Sequence, residues 1–365
     1  MIPEVTVTNR EDVPQWLSYG APLGTILAAL LVASVPLLWL NINPIWVYWE
    51  LFVSQPTTVS GFADVVRTAL PLFFAGLAVY LPLKAGLWNI GAEGQLFVGA
   101  VVGAAIALHV ELPSLLLIPL MLVAAGIAGA LYGAIPGYLR AEHDVNEIIS
   151  SLMLTFTATT FTGYLLRGPL QGSSGQSATD RLPDAAQLPS VLTPRLHVGV
   201  GLIVVVALAS YILLNHTRLG YEIVFIGSNP AAATQAGIST YKIYITVFVL
   251  GGLLAGIAGI VEVAGVHGRL FEDFSPGYGF TAVAVALLGR NGVGQVLLAA
   301  LFFGVLTAGG TTIAVTQNVP SALIDVIVAL TILFLLTAEF VKDHRINIAW
   351  RGSDPEAASQ TGGSP

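Results

Sequence analysis

The 365-residue chain contains no cysteine. Disulfides, thiolate metal sites and cysteine nucleophiles are excluded at once. Lysine is almost as scarce: Lys84, Lys242 and Lys342 are the whole complement, and they follow Leu83, Tyr241 and Val341. No Gly-Lys-Ser/Thr step exists, so no P-loop can form and the chain has no phosphate cradle of that kind. No histidine pair has zinc-ligand spacing, so no metal is expected. Charge of either sign is rare, at 10% against about 25% in soluble domains. The little there is leans acidic, with 21 Asp+Glu against 14 Lys+Arg. Such a balance fits a salt-adapted organism and no nucleic-acid partner.

Apolar runs fill the space that charge vacates. The chain is 55% hydrophobic with a mean hydropathy of +0.81. Several uncharged runs approach 20 residues, enough to cross a hydrocarbon core of roughly 30 Å. They recur along the whole chain, which a single signal segment cannot explain. The sequence therefore predicts an all-α polytopic membrane protein. Ten segments qualify: Ala21–Leu40, Ala63–Leu83, Ile90–Val110, Leu115–Leu139, Ile148–Leu166, Val198–Leu214, Ile243–Val261, Tyr278–Leu288, Val296–Thr312 and Ala322–Ala338. Tyr278–Leu288 is too short to span alone and reads as a half-helix buried in protein. Pro71, Pro82, Pro119, Pro136 and the internal glycines suggest kinks.

With ten alternating spans and the N-terminus inside, nine basic residues fall in inner segments and five in outer ones, and all three lysines fall inside. That bias puts both termini in the cytoplasm. The expected layout is a cytoplasmic segment at 1–20, a transmembrane domain at 21–340 and a flexible polar tail at 341–365. Trp46, Tyr48 and Trp49 in the first outer loop suit the headgroup region. The loop from Gly168 to His197 reads as an ordered loop or a flexible lip.

Four polar clusters interrupt the apolar pattern. Asn89-Ile90-Gly91-Ala92-Glu93-Gly94-Gln95 sits between two strongly apolar runs. A charge at mid-bilayer costs roughly 2.5–3.5 kcal/mol on insertion scales. Asn89, Glu93 and Gln95 either line a translocation path or supply helix-start chemistry, with Asn89 as cap and Glu93 at the positive helix end. Asp144-Val145-Asn146-Glu147 offers Asp144 as a cap for the helix beginning at Ile148, or a contact surface for a cytoplasmic partner. In the inner loop 217–241, Asn229-Pro230 before Ala231-Ala232-Ala233 is a helix start, and Gly237 is its stop. A short helix there buries no membrane face, so it needs a packing partner. Asp325 near Pro320 is reachable by water or, if deeper, an ion site. Arg269, Glu272 and Asp273 read as solvated ion pairs. The Asn215-His216-Thr217 sequon falls inside and is not a glycosylation site. Gly94–Ala100 and Gly294–Ala300 form a weak internal echo of the kind transporters carry.

The same clusters carry a family resemblance. Leu87–Gln95 resembles the signature of ABC importer permeases for nucleosides and simple sugars. Asp144–Leu154, Gly220–Ile238 and Gly265–Asn291 are similar to three further motifs of that family, in the same order. Thr155-Phe156 and Thr234-Gln235 depart from it; the second removes a positive charge from the inner loop.

The resemblance implies a type II importer permease fold of about ten transmembrane helices in the cell membrane. It implies a second homologous permease, two ATPase subunits that bind ATP and magnesium, and an extracytoplasmic binding protein. On this chain it implies no cofactor and no catalysis. Gly227, Asn229, Pro230, Ala231, Ala232 and Gly237 become the helix that docks on the ATPase. Asn89, Glu93 and Gln95, with Trp88 and Phe97 as apolar surface, become the pathway. The cargo implied is a nucleoside or simple sugar. Branched-chain amino acids or a riboflavin-like ligand, an ion-coupled secondary transporter using Asp325 or Glu93, and a channel or scaffold are the alternatives.

Overall fold

The computed structural model describes residues 3–9, 15–191, 193–317 and 320–350. Its elements are β1 (Pro3–Asn9), α1 (Gln15–Trp39), α2 (Pro44–Trp49), a π turn at Glu50–Ser54, and α3 (Gln55–Thr57). Then come α4 (Val59–Lys84), α5 (Ala92–His109), α6 (Ser114–His143) and α7 (Glu147–Leu166). A loop carrying the short hairpin β2 (Ser190–Val191) and β3 (Thr193–His197) leads to α8 (Val200–His216), α9 (Arg218–Ser228) and α10 (Pro230–Gln235). The chain closes with α11 (Thr240–Glu262), a π turn at Val263–His267, α12 (Tyr278–Leu288), α13 (Val293–Gln317), α14 (Ser321–Asp343) and β4 (His344–Trp350).

Two compact units result, 1–33 with 329–365, and 34–328. In the first, β1 and β4 pair antiparallel, Pro3 opposite Trp350 and Asn9 opposite His344. The terminal segments expected at 1–20 and 341–365 thus coincide in part with strands, and 351–365 lie outside the described residues. The second unit carries everything that follows.

Each of the ten apolar segments falls on a helix. Among the described residues, six helices are long and apolar enough to cross a membrane: α4, α5, α6, α7, α11 with its π turn, and α13. The bent pair α8–α9, with 69° between its halves, makes a seventh if it is one span. The apolar stretches of α1, α12 and α14 are shorter.

α4 is the central post. Every residue from Thr68 to Pro82 is buried, against α11, α12 and α13. Its start is set by Thr58, whose hydroxyl accepts from Gly61 N at 3.0 Å. Pro71 and Pro82 lie within α4, and Pro119 and Pro136 within α6, yet both helices run through them. Pro71, Pro82 and Pro136 are buried among neighbouring helices, the environment in which such prolines are tolerated, while Pro119 is exposed near the start of α6.

The internal glycines serve close packing. α11 lies against α6 and α5 along a seam of small residues. A Cβ at Gly129 would strike the Gly252 carbonyl, one at Gly252 the Gly129 carbonyl, and one at Gly256 the Ala125 carbonyl. On the α5 side, Gly99 meets the Gly256 backbone and Gly259 meets the Leu96 carbonyl. In lipid, where burial from water drives nothing between helices, such backbone proximity is the main source of packing energy.

Two capping expectations need correction. Asp144 does not cap α7; it ends α6 in a left-handed conformation (φ 51°) and pairs with Arg140 at 2.6 Å. Asn146 caps α7 instead, accepting from Ile148 N and Ile149 N. One residue of register decides this, because α6 runs on to His143 and consumes Asp144 as its terminus. Likewise Asn89 does not cap α5, which begins after Gly91 with no side-chain cap.

Candidate functional site

A cavity of about 780 Å³ opens at the end of the second unit where α4 begins. Its walls come from α4 (Asp64, Arg67, Thr68), β3 (Arg195), the end of α11 (Glu262) and the π turn after it (His267). The loop at Phe271–Pro276, the start of α12 (Tyr278, Thr281), α13 (Thr307, Thr311, Thr312) and α14 (Asp325) complete them. Charged groups therefore enter from the ends of separate helices, where the chain emerges from its apolar stretches.

Two ionic clusters organise the lining. Asp64 binds Arg195 and also lies 3.4 Å from Arg67. This contact clips the β2–β3 hairpin to the head of α4. On the other side, Glu262 is buried, with Oε1 accepting from the Tyr278 hydroxyl at 3.3 Å. His267 Nε2 stands 3.3 Å from the same oxygen. His267 and Glu262 are five residues apart, which on an α-helix leaves them about 140° apart around the axis. The π turn at Val263–His267 widens the helix and brings the imidazole round.

The loop from Gly168 onward is stitched over the cavity's rim. Thr179 N donates to Leu270 O at 2.8 Å, Leu182 N to Gly268 O at 2.8 Å, and Arg167 grips both oxygens of Glu272 at 2.6 Å. Of the three outer-loop charges read as solvated pairs, Glu272 makes this rim pair and Asp273 lines the cavity. His197, at the end of β3, is buried against Gly199 and Gly265. Burial, reinforced by the Arg67 charge, pushes its pKa down to about 4, so the ring is neutral.

None of Trp88, Asn89, Glu93, Gln95 and Phe97 is among the cavity's lining residues. Asn89 and Gln95 are buried together and exchange two amide hydrogen bonds, at 3.0 and 3.1 Å. Asn89 also donates to Ala78 O on α4 and accepts from Gly91 N. Every amide N and O atom of the pair has a partner, and the pair ties α5 to α4. Glu93 lies in the first turn of α5, and its Oε2 accepts from Gly279 N on α12 at 2.5 Å. Phe97 packs on Phe274, a cavity residue, with ring centroids 4.7 Å apart. Glu93 and Phe97 thus stand directly behind the wall formed by Phe274 and α12. Trp88 is half-buried in the turn before α5, where its N–H reaches Glu147 Oε1 at 3.5 Å. Asp273 and Asp325 stand out in the sequence, whereas Asp64 and Glu262 do not, because each sits at the margin of a long apolar run, one residue inside Ala63–Leu83 and one residue after Val261. The signal was there: a charge at the end of each of several spans.

At the far end of α4 and α11 stands the short helix. Asn229 caps α10, accepting from Ala232 N at 3.0 Å, with Pro230 in the first turn. Gly237 follows it at φ +82°, a conformation that favours glycine. Gly227, Asn229, Pro230, Ala231 and Gly237 are exposed and Ala232 half-exposed, while Ala233 is buried with Ile223, Ile226, Val247, Phe248 and Leu87. A Cβ at Gly227 would strike the Lys84 carbonyl, so α9 touches the end of α4. From Asp64 to Lys84 is about 30 Å at 1.5 Å per residue.

Residues 61–336 match the family described as the branched-chain amino acid transport system / permease component. The chain belongs to this family. The permease is 50% identical to the glucose ABC transporter permease protein TsgB13 of Haloferax volcanii, over 99% of this chain and 98% of that one. It is 32% identical to the guanosine ABC transporter permease protein NupP of Bacillus subtilis, over 76% of this chain and 82% of that one. It is also 32% identical to the nucleoside ABC transporter permease protein NupB of Lactococcus lactis, over 88% and 91%. It is accordingly an ABC permease subunit, a multi-pass protein of the cell membrane, and a transport component without an ATPase site of its own.

Proposed function

We propose that this permease is the membrane subunit of an ATP-driven importer for a simple sugar or a nucleoside. Cargo arrives on an extracytoplasmic binding protein. A second, homologous permease and two ATPase subunits, which hold ATP and magnesium, complete the machine. About ten transmembrane helices, with α12 as a half-helix among them and both termini in the cytoplasm, give the cavity an outward aspect and α10 an inward one.

The observation that carries this reading is the two-ended arrangement of α4 and α11. One end of each borders the charged cavity, through Asp64 and Glu262. The other end of each meets the α9–α10 corner, through Lys84 beside Gly227 and through Val247 and Phe248 beside Ala233. A push on the exposed face of α10 reaches the cavity through two helices about 30 Å long. Gly227, Asn229, Pro230, Ala231, Ala232 and Gly237 form the docking element. Access to the cavity alternates because nucleotide binding favours one of two helix arrangements over the other. Asn89, Glu93 and Gln95 serve the pathway by holding α5 against α4 and α12, with Phe97 supporting Phe274 and Trp88 closing the turn toward α7. The names of the relatives support a sugar or a nucleoside as cargo, and the 50% identity to a glucose permease over nearly the whole chain favours a hexose.

The test is uptake in cells that express the permease together with an ATPase, a second permease and a binding protein of the same system. Labelled glucose or guanosine should accumulate only when the ATPase is intact, and an uncoupler should leave the rate unchanged while ATP is held constant. Uptake that persists without the ATPase and collapses with the uncoupler would sink the proposal in favour of ion coupling.

A further inference from the structure

The geometry points to a subsite for a vicinal diol in the cavity, formed by Glu262, His267 and Tyr278 with Phe271 and Phe274 as its apolar side. The inference rests on the sugar-or-nucleoside reading and names the chemistry by which this chain would recognise either cargo.

Glu262 is only 4% exposed, yet it lines the cavity. Among the described residues both of its contacts, Tyr278 and His267, go to Oε1. Oε2 retains its acceptor capacity. His267 Nε2 is buried with no hydrogen-bond partner, because its approach to Glu262 is close enough but poorly aligned. A buried polar atom left so costs about 1–3 kcal/mol, a cost that an incoming hydroxyl removes. Two adjacent hydroxyls offer a carboxylate two donors at once, the pattern that makes paired recognition strong. The imidazole and the phenol beside it fix the orientation of the first. Phe271 and Phe274 line the same space and suit the C–H face of a sugar ring.

Other ligand classes fit less well. The lining holds four carboxylates, Asp64, Glu262, Asp273 and Asp325, against two guanidiniums, Arg67 and Arg195, both of which face Asp64. A phosphorylated or carboxylated cargo would meet excess negative charge. No cluster of three or more acidic or histidine ligands suited to a metal ion occurs among the described residues. A neutral polyhydroxy compound remains.

The absence of native cysteine makes a direct test possible. Thr281 lines the cavity one turn beyond Tyr278 on α12, so T281C in the full chain, held in lipid nanodiscs, supplies a single reporter thiol. Its modification by a maleimide is timed with glucose or guanosine present. The matched probes tetra-O-methylglucose and 2′,3′-dideoxyguanosine lack the diol. The subsite predicts that glucose, guanosine or both slow the modification several-fold and that their diol-free partners do not. E262Q should raise the half-protecting concentration about tenfold, since a neutral amide accepts at one atom only. Protection by glucose alone assigns a hexose, by guanosine alone a ribosyl group. Equal protection by the diol-free probes, or protection indifferent to E262Q, overturns the subsite and leaves the cargo reading standing. No protection by either diol at any concentration also overturns the subsite, and the uptake assay then decides the cargo reading by itself. Should E262Q fail to accumulate, the paired probes on the Glu262 chain decide the matter alone.

Discussion

The Glu93 carboxylate, in the first turn of α5, accepts the backbone N–H of Gly279 at the head of α12, 186 positions away in the chain. A Cβ on Gly279 would collide with the Glu93 backbone, so the two helices touch main chain to main chain at this point. α12 has only 11 residues and starts behind a left-handed Gly277. It needs an anchor from elsewhere, and Glu93 is that anchor.

Glu93→Ala should therefore loosen α12 and lower stability by about 2–3 kcal/mol, the upper range for leaving a buried backbone N–H without its acceptor. Glu93→Gln keeps an acceptor and should cost less than half as much. Thermal unfolding followed by size-exclusion profile ranks the variants. Equal stability of E93A and the parent would show that the Gly279 contact carries no weight.

The glycine seam between α6 and α11 leaves no room for a side chain. Gly252→Val should cost about 3 kcal/mol, the upper range for overpacking. Gly294→Ala, where no heavy atom approaches the added methyl, should be nearly neutral. Yield of folded permease from membranes measures both, and a well-folded G252V would refute the packing role.

Gly237→Val forces a β-branched residue into a left-handed conformation, at about 1–2 kcal/mol. Open space surrounds the position, so the strain stays local to the corner after α10. Uptake should fall about tenfold, within the usual range of coupling energies, with the protein level unchanged and ATPase activity no longer tied to transport. Full coupling in this variant would contradict the docking role. Asn229→Ala, which removes the cap, should fray α10 at about 1 kcal/mol and weaken coupling in the same direction.

His197 makes the β2–β3 hairpin sensitive to acid. Its pKa is about 4 in the folded hairpin and about 6.5 when freed. Above pH 6.5 neither form binds the proton. Between pH 6.5 and 4 only the freed form does, so the hairpin weakens as pH falls, by about 3 kcal/mol over the window. Hydrogen exchange of residues 190–191 and 193–197 should quicken on acidification, and His197→Gln should abolish that pH dependence. A parent chain with pH-independent exchange protection would overturn the assignment.

Much of this permease was legible before folding. Hydropathy alone located its helical segments, because backbone in lipid must satisfy its own hydrogen bonds and helices do so within one segment. Asn229, Pro230 and Gly237 announced α10 because capping and left-handed turns are local chemistry. The absence of cysteine and of any P-loop excluded thiol chemistry and that form of phosphate binding outright. Partnerships across the fold were not legible. Asn89 looked like a cap and instead pairs with Gln95; Asp144 looked like the next helix's start and is the previous helix's end. Glu93 meets Gly279, Arg195 meets Asp64, and Glu262 meets His267 through a π turn. These contacts join residues whose spacing in sequence carries no periodic signal, or depend on a one-residue widening of a helix. Only tertiary packing, with glycines letting backbones touch, decides which charges share a cavity.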